Sequence, residues 1–125
     1  MGPRYTLPKV RRLSRRRDFA RVLGARCRAS DGYLVIYVDR NELAYSRLGL
    51  IVGRKHGPAV ARNRLKRLVR EAYRLGQHDL PAGYDYVCIP VAGRVGTVQQ
   101  YQRWLEALAR AVVARWQRRA EAGRK

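Results

Sequence analysis

Between Arg54 and Arg74 the chain reads RKHGPAVARNRLKRLVREAYR, eight Lys/Arg against the single acid Glu71, laid out on the period of an amphipathic helix. Ala61, Leu65, Leu68, Val69, Ala72 and Tyr73 share one stripe at i, i+4, i+7, i+8 spacing, which marks a helix seated on a core. Lys66, Arg67, Arg70 and Arg74 fall on the far side with Asn63 among them, and Arg62 and Arg64 flank the stripe from its two edges. Pro58 suits the first turn, where a missing N–H costs nothing, and Gly76 supplies a stop. Glu71 can pair with Arg67 or Arg74 at i±4 or i±3. A solvated helix face ordinarily mixes signs; this one does not, and like charges one turn apart destabilise a helix unless a polyanion neutralises them.

The whole chain carries the same bias. Its 125 residues hold 28 Lys+Arg against 9 Asp+Glu, a net charge of +19 and an isoelectric point near 11.4. The excess lies in three blocks, Arg4–Arg21, Arg54–Arg74 and Arg103–Lys125, with the apolar runs between them spared. Arginine far outnumbers lysine, and a planar guanidinium grips phosphate bidentately or stacks on a base, so nucleic acid is favoured over a merely anionic surface.

With 46% hydrophobic residues, the length supports one domain spanning 1–125 with one core. Residues 1–9 read as a basic flexible arm and 118–125 as a basic frayed tail. No run approaches the roughly 20 apolar residues that span a bilayer, and the charged N-terminus lacks a following apolar segment. The expectation is an unsecreted cytoplasmic protein without membrane contact. Cys27 and Cys88 lack CxxC or histidine companions and read as buried thiols in a reducing compartment.

Ser14–Leu23 reads as a short helix carrying Phe19, Val22 and Leu23, with Arg15, Arg16 and Arg17 beside them. Tyr33–Val38, Arg47–Gly53 and Tyr84–Val91 read as strands, and Asp39–Ser46 as a hairpin-like turn between the first two. Thr97 and Gln100 form a capping box ahead of Tyr101, Trp104, Leu105, Leu108, Ala111 and Val112 at helical spacing. An extra short strand fits around Cys27–Ser30. The fold class is α+β, an α-β sandwich with one central sheet of about four strands packed with helices in the order α-β-β-(β)-α-β-α.

Catalytic constellations are poor. The nine acids are scattered rather than gathered for two-metal chemistry, and no P-loop, GxSxG or Cys/His nucleophile pattern is present. His56 and His78 border the basic helix and read as phosphate-facing or exposed rather than as a proton-shuttling pair.

Lys55, Gly57, Ala59, Val60, Arg62, Asn63, Arg64, Lys66, Arg67 and Arg70 form K-x-G-x-A-V-x-R-N-R-x-K-R-x-x-R, a pattern that resembles the protein subunit of bacterial ribonuclease P. The resemblance extends to Arg12-Leu13, Asp18-Phe19, Arg47–Leu50 and Tyr84–Ile89, in matching order over nearly the whole domain. It implies a ribonucleoprotein endonuclease in which a catalytic RNA subunit and its Mg²⁺ remove the 5′ leader of precursor tRNA, with one protein per RNA. It also implies a left-handed β-α-β crossover, against the usual right-handed rule.

Carried over by position, the resemblance makes Lys55, Arg62, Asn63, Arg64, Lys66, Arg67, Arg70 and Arg74 RNA-binding, with Arg62 and Asn63 near the cleavage site. It assigns Phe19, Arg16, Leu34 and Ile36 to a cleft for the single-stranded leader. Phe19 reads equally as a core residue, since Val22 and Leu23 share its side, and a second aromatic that some relatives carry is Leu23 here. On the first long strand Leu34 and Ile36 have one parity and Tyr33 and Tyr37 the other; one set faces the core and the other the cleft. Trp104 and Trp116 read as packing residues by their helical spacing. The alternative function is a ribosomal protein or RNA chaperone without a cleavage role.

Overall fold

The apolar runs assemble into one four-stranded sheet in the computed structural model, which describes residues 7–123. Residues 1–6 of the expected arm and the last two residues of the expected tail lie outside that range. The elements are α1 (Arg16–Gly24), β1 (Arg28–Ser30), β2 (Leu34–Arg40), β3 (Arg47–Leu50), α2 (Ala59–Gly76), β4 (Tyr84–Pro90) and α3 (Val98–Gly123). The sheet order is β1-β2-β4-β3, with β4 antiparallel to β2 and parallel to β3. The extra strand at Cys27–Ser30 is present as β1, so the mixed α+β class and strand number agree with the sequence.

The link after β2 is not a hairpin. β4 pairs along the full length of β2, from Leu34 opposite Pro90 to Arg40 opposite Tyr84, which leaves β3 one position further out. The β2–β3 link ends up latched across the start of β4, through Asn41 N–H to the Gly83 carbonyl at 3.0 Å and Asn41 Nδ2 to Asp85 Oδ1 at 2.9 Å. The true hairpin is β1–β2, where Asp31 Oδ1 accepts from the N–H groups of Tyr33 and Leu34 at 2.9 Å and Gly32 takes φ 89°, the side-chain-mimicked turn that Asp-Gly favours.

Strand alternation decides the layers. Leu34, Ile36 and Val38 of β2, Leu48 of β3, and Tyr84, Tyr86 and Cys88 of β4 pack with Leu65, Val69, Ala72 and Tyr73 of α2 and Tyr101, Leu105, Ala109 and Val112 of α3 in the main core. The other parity, Val87 with partly buried Tyr37 and Ile89, packs with Leu13, Val22 and Phe19 around α1. One sheet face is therefore sealed by two helices of 18 and 26 residues, and the other carries a helix of nine.

One boundary agrees with expectation and one differs. α2 starts at Ala59 with Pro58 as its N-cap, and Arg54–His56 is a separate 3₁₀ turn, because Gly57 takes φ 108°, a left-handed conformation that interrupts a right-handed helix. At the other end, α3 does not stop near Arg118 but continues to Gly123. Its start is as expected: Gln100 N–H donates to Thr97 Oγ1 at 3.1 Å and Thr97 N–H to Gln100 Oε1 at 2.9 Å, the reciprocal capping box.

The chain ahead of α1 is tied to β3. Leu13 N–H donates to the Leu48 carbonyl at 2.8 Å beside a parallel bridge between Arg12 and Leu48. Leu7 lies in the main core at 2% exposure, so the expected flexible arm is anchored from Leu7 onward.

Candidate nucleic-acid interface

The incompletely covered sheet face forms an apolar floor. Phe19 lies across β3 because Gly49 has no side chain: a Cβ there would sit 2.7 Å from Phe19 Cζ and 3.1 Å from Leu13 Cβ. Phe19 is only partly buried, so its ring serves both the small core under α1 and the exposed rim. Past it, Val35, Tyr37, Ile51 and Ile89 remain half-buried. On the outer edge Arg28 reaches over Tyr37, its Cζ 6.0 Å from the ring centroid and its Nη1 3.4 Å from the Tyr37 hydroxyl, within cation–π range.

Leu34 and Ile36, the residues expected to line a leader cleft, are not on this face. They are 0% and 1% exposed in the main core. Both parities of β2 are apolar, so what assigns them is the position of α2 and α3, and the cleft-facing residue is Tyr37. Arg16 is exposed at the start of α1. Tyr33 leaves the sheet parity altogether, stacking on Trp104 at 4.1 Å between centroids and 11° between planes. Trp116 meets Tyr84 edge-on at 5.6 Å and donates Nε1–H to Asp39 at 3.2 Å. Both tryptophans are packing residues, as their spacing suggests.

An ionic cluster holds α1 in place. Asp85, an acid within the apolar strand β4, is 0% exposed. It receives Arg47 Nε at 2.8 Å and Arg47 Nη2 at 2.7 Å, Asn41 Nδ2 at 2.9 Å, and a short contact from Arg21 of α1. Arg21 also donates to Asp39 at 2.7 Å and to the Arg40 carbonyl at 3.0 Å, with Asp18 at 3.7 Å. Burial alone would raise the Asp85 pKa, but the hydrogen bonds from Arg47 and Asn41 and the adjacent guanidinium charges outweigh it and hold the carboxyl below the usual value. Nothing in the spacing of these residues predicts this cluster; the one sequence signal is a lone acid inside YDYVCIP.

The α2 surface opposes the core with its cations. Asn63, Arg64 and Arg67 are exposed, as are Arg54 and Lys55 in the preceding turn. Arg62, Lys66, Arg70 and Arg74 are partly buried. Arg62 Nε is inaccessible and has no hydrogen-bond partner among protein atoms. The Arg70 pKa is lowered, first by burial and then by the nearby Arg12 guanidinium, so the protein itself crowds cations here. Arg74 is the residue that Glu71 pairs with, at 2.7 Å. A shallow, largely apolar hollow of about 400 Å³ lies between α2 and the start of α3, lined by Arg64, Arg67, Leu68, Glu71 and Val98.

His56 is neither phosphate-facing nor free. Gly53 N–H donates to Nδ1 at 3.1 Å and Nε2 lies 2.6 Å from the Pro90 carbonyl. An Nδ1 that accepts leaves the ring proton on Nε2, so the imidazole ties the turn before α2 to the end of β4. His78 is exposed in the 3₁₀ turn after α2. Cys27 and Cys88 are free thiols at 0% exposure. Among the described residues no three His, Cys, Asp or Glu converge to hold a metal ion, and no helix is long and apolar enough to cross a membrane.

Residues 7–116 match the protein-family model described as Ribonuclease P. The ribonuclease P protein component of Thermotoga maritima is 44% identical over 79 residues, covering 63% of this chain and 68% of that protein. The corresponding protein of Methylococcus capsulatus is 45% identical over 87 residues, 69% of this chain and 67% of its own length. Among solved structures, the T. maritima RNase P protein superposes with a TM-score of 0.70 at 37% identity, covering 79% of this chain and 96% of that one. The Staphylococcus aureus RNase P protein gives 0.71 at 28% identity, covering 82% and 95%.

Proposed function

Because this chain belongs to the ribonuclease P protein family, the protein component of an endoribonuclease of tRNA processing, we propose that it binds the catalytic RNA through α2 and the 5′ leader of precursor tRNA in the cleft beside α1. The observation that carries this reading is the pairing of a sheet face left open at Tyr37, Val35, Ile51 and Ile89 with a helix whose outward side is cationic.

The two surfaces suit different partners. Arg64 and Arg67, with Lys55 in the turn before them and Arg62, Lys66 and Arg70 at the flanks, supply charge without a pattern of base-reading groups. They fix position on phosphates, and the affinity they give falls steeply with salt. The cleft has an aromatic and aliphatic floor with Arg28 at its rim, and Arg16 is exposed at the start of α1. Unpaired bases stack on such a floor with little regard to sequence, at about 1–3 kcal/mol per base. A duplex presents no free base faces and gains nothing there. Precursor tRNA carries the single strand and mature tRNA does not, so contacts in the cleft favour substrate over product.

Mg²⁺ belongs to the RNA in this reading. Asp18, Asp39 and Asp85, the aspartates around Arg21 and Arg47, are engaged by those guanidinia, and among the described residues no three ligating groups gather for a metal ion. Its cations act by neutralising phosphates around a metal-dependent RNA centre in the cytoplasm, one protein on each RNA.

The test is cleavage of a 5′-extended precursor tRNA by a bacterial ribonuclease P RNA at low Mg²⁺ and near-physiological salt, with and without the protein. Correct 5′ cleavage only when both are present supports the reading. No rescue, with tight binding to other structured RNA, moves the protein to an RNA chaperone or ribosomal role.

A further inference from the structure

The third basic block has no part in the interface described so far, and the structure gives it a defined place. The last turns of α3 lie on the connection between α1 and β1, clipped there by Arg115, which donates to the Arg28 carbonyl, and by Arg119 Nη2, 2.9 Å from the Ala25 carbonyl. The connection itself carries Arg26 and leads into Arg28. Arg26, Arg28, Arg115 and Arg119 are all exposed, and among the described residues none of them is ion-paired. Glu121, the nearest acid in the helix sequence, is two residues from Arg119 and so about 200° around the axis. Asp39, the acid on the neighbouring strand, is already held by Arg21 and Trp116.

Two features show that this is more than scattered surface charge. Arg26 holds a left-handed backbone at φ 57°, which glycine or asparagine adopts more easily. And the patch is continuous with the open sheet face, because Arg28 is both a member of it and the residue that lies over Tyr37. Guanidinia retain several donors after one is used on a carbonyl, and four of them gathered without acids form a track for phosphates. Arg119 lies beyond residues 7–116, the stretch that matches the family.

We propose that Arg26, Arg28, Arg115 and Arg119 form a second RNA-contact surface that takes the distal part of the 5′ leader after it leaves the cleft over Tyr37. This rests on the cleft reading above. A single strand crossing the apolar floor reaches the edge of the sheet at Arg28, and from there a cationic path runs along the α1–β1 connection to the end of α3. Binding there is electrostatic and independent of leader sequence.

The experiment uses the holoenzyme reconstituted with ribonuclease P RNA and measures dissociation constants for mature tRNA and for precursors with leaders of about 5 and about 15 nucleotides, spanning the range of one single-strand site. The variants are Arg26→Gly with Arg119→Gln, and Arg26→Gly alone, which removes a charge while relaxing the left-handed backbone and so separates lost contact from lost fold. The double variant is expected to bind the long-leader precursor about tenfold more weakly at near-physiological salt and to lower its log–log salt slope by about 1.4, two single-strand phosphate contacts. The short-leader precursor and mature tRNA should be unchanged, and Arg26→Gly alone should give part of the effect. An unchanged long-leader affinity overturns the proposal, and so does an equal loss on all three RNAs, which would place the patch on the RNA subunit or the tRNA body. A wild-type enzyme that binds the short-leader precursor no better than mature tRNA overturns instead the cleft reading on which the proposal rests.

Discussion

Asp85→Asn removes the charge at the centre of the cluster that holds α1 while keeping the side-chain shape. In the native protein the carboxylate accepts from Arg47 twice, from Asn41 and from Arg21, at 0% exposure. The amide replaces one acceptor with a donor that faces guanidinium N–H groups. Breaking a buried ion pair from one side costs roughly 3–5 kcal/mol. The low end of that range applies here because Arg21 and Arg47 are 35% and 22% exposed and keep Asp39 at 2.7 Å and Asp18 at 3.9 Å. A loss of about 3 kcal/mol at neutral pH is expected, a fall in Tm of roughly 15 °C. The folded pKa of Asp85 is depressed, so its stabilisation is complete above the ordinary aspartate value near 3.9 and is lost as pH falls through the lower folded value. Urea titrations of both proteins from pH 7 to about pH 3 read this as a gap that stays constant and then begins to narrow below about pH 4. A gap under about 0.5 kcal/mol at pH 7, or one that does not narrow in acid, refutes the assignment of Asp85 as the charged anchor of α1.

The cleft makes its own predictions. Phe19→Ala and Tyr37→Ala should each weaken precursor binding by about 1–3 kcal/mol and leave mature tRNA affinity unchanged; equal loss on both in a competition assay would remove these rings from the leader site. Leu34→Ala should lower stability by about 2–5 kcal/mol as a core truncation, with no preferential loss of precursor binding once folded protein is compared by active-site titration. Gly49→Ala forces a methyl group against Phe19, so about 1–3 kcal/mol of stability and part of the precursor preference should go together, measured by denaturation and by the same competition assay. Arg64→Ala with Arg67→Ala should weaken assembly with the RNA subunit and reduce the log–log salt slope by roughly 2; an unchanged slope would show that the exposed side of α2 touches no phosphates.

The parts of this molecule that are legible in its sequence are those fixed by local chemistry. The period of Leu65, Val69, Ala72 and Tyr73 gives α2 its inward side, and Thr97 with Gln100 gives the start of α3, since each depends on residues within two turns. Strand pairing is not local, so the insertion of β4 between β2 and β3 left no mark on the Asp39–Ser46 link, which reads as a hairpin from one side only. The burial of Leu34 and Ile36, expected on the open side, has the same origin. They and the alternates Tyr33 and Tyr37 read from the sequence as two parities either of which could face the core, and parity is set by helices that join the sheet from far along the chain. The continuation of α3 past Arg118 goes with Arg115 and Arg119 donating to the carbonyls of Arg28 and Ala25, about 90 residues away, and no window of sequence contains both halves of that contact.

The use of the nine acids connects the fold to the charge. Asp18, Asp39 and Asp85 are spent on Arg21 and Arg47, and Glu71 and Glu106 on their helix neighbours Arg74 and Arg110. None of these pairs reaches the exposed guanidinia of α2, the start of α1 or the end of α3. Five of the nine acids therefore secure the scaffold, and the remaining cations repel one another across three surfaces of a protein with net charge +19. That self-repulsion destabilises the free compact state, and a polyanion that binds only the folded form restores stability by mass action. Salt must then act in opposite directions on the two states. Raising ionic strength screens the repulsion and stabilises the free protein, while the same salt competes with phosphate contacts and weakens the complex. A fold built around neutralised cations on every surface would show neither trend, so denaturation of the free protein and RNA titration over the same salt series test whether the charge excess serves a polyanion: opposed signs are expected, and trends of one sign would refute it.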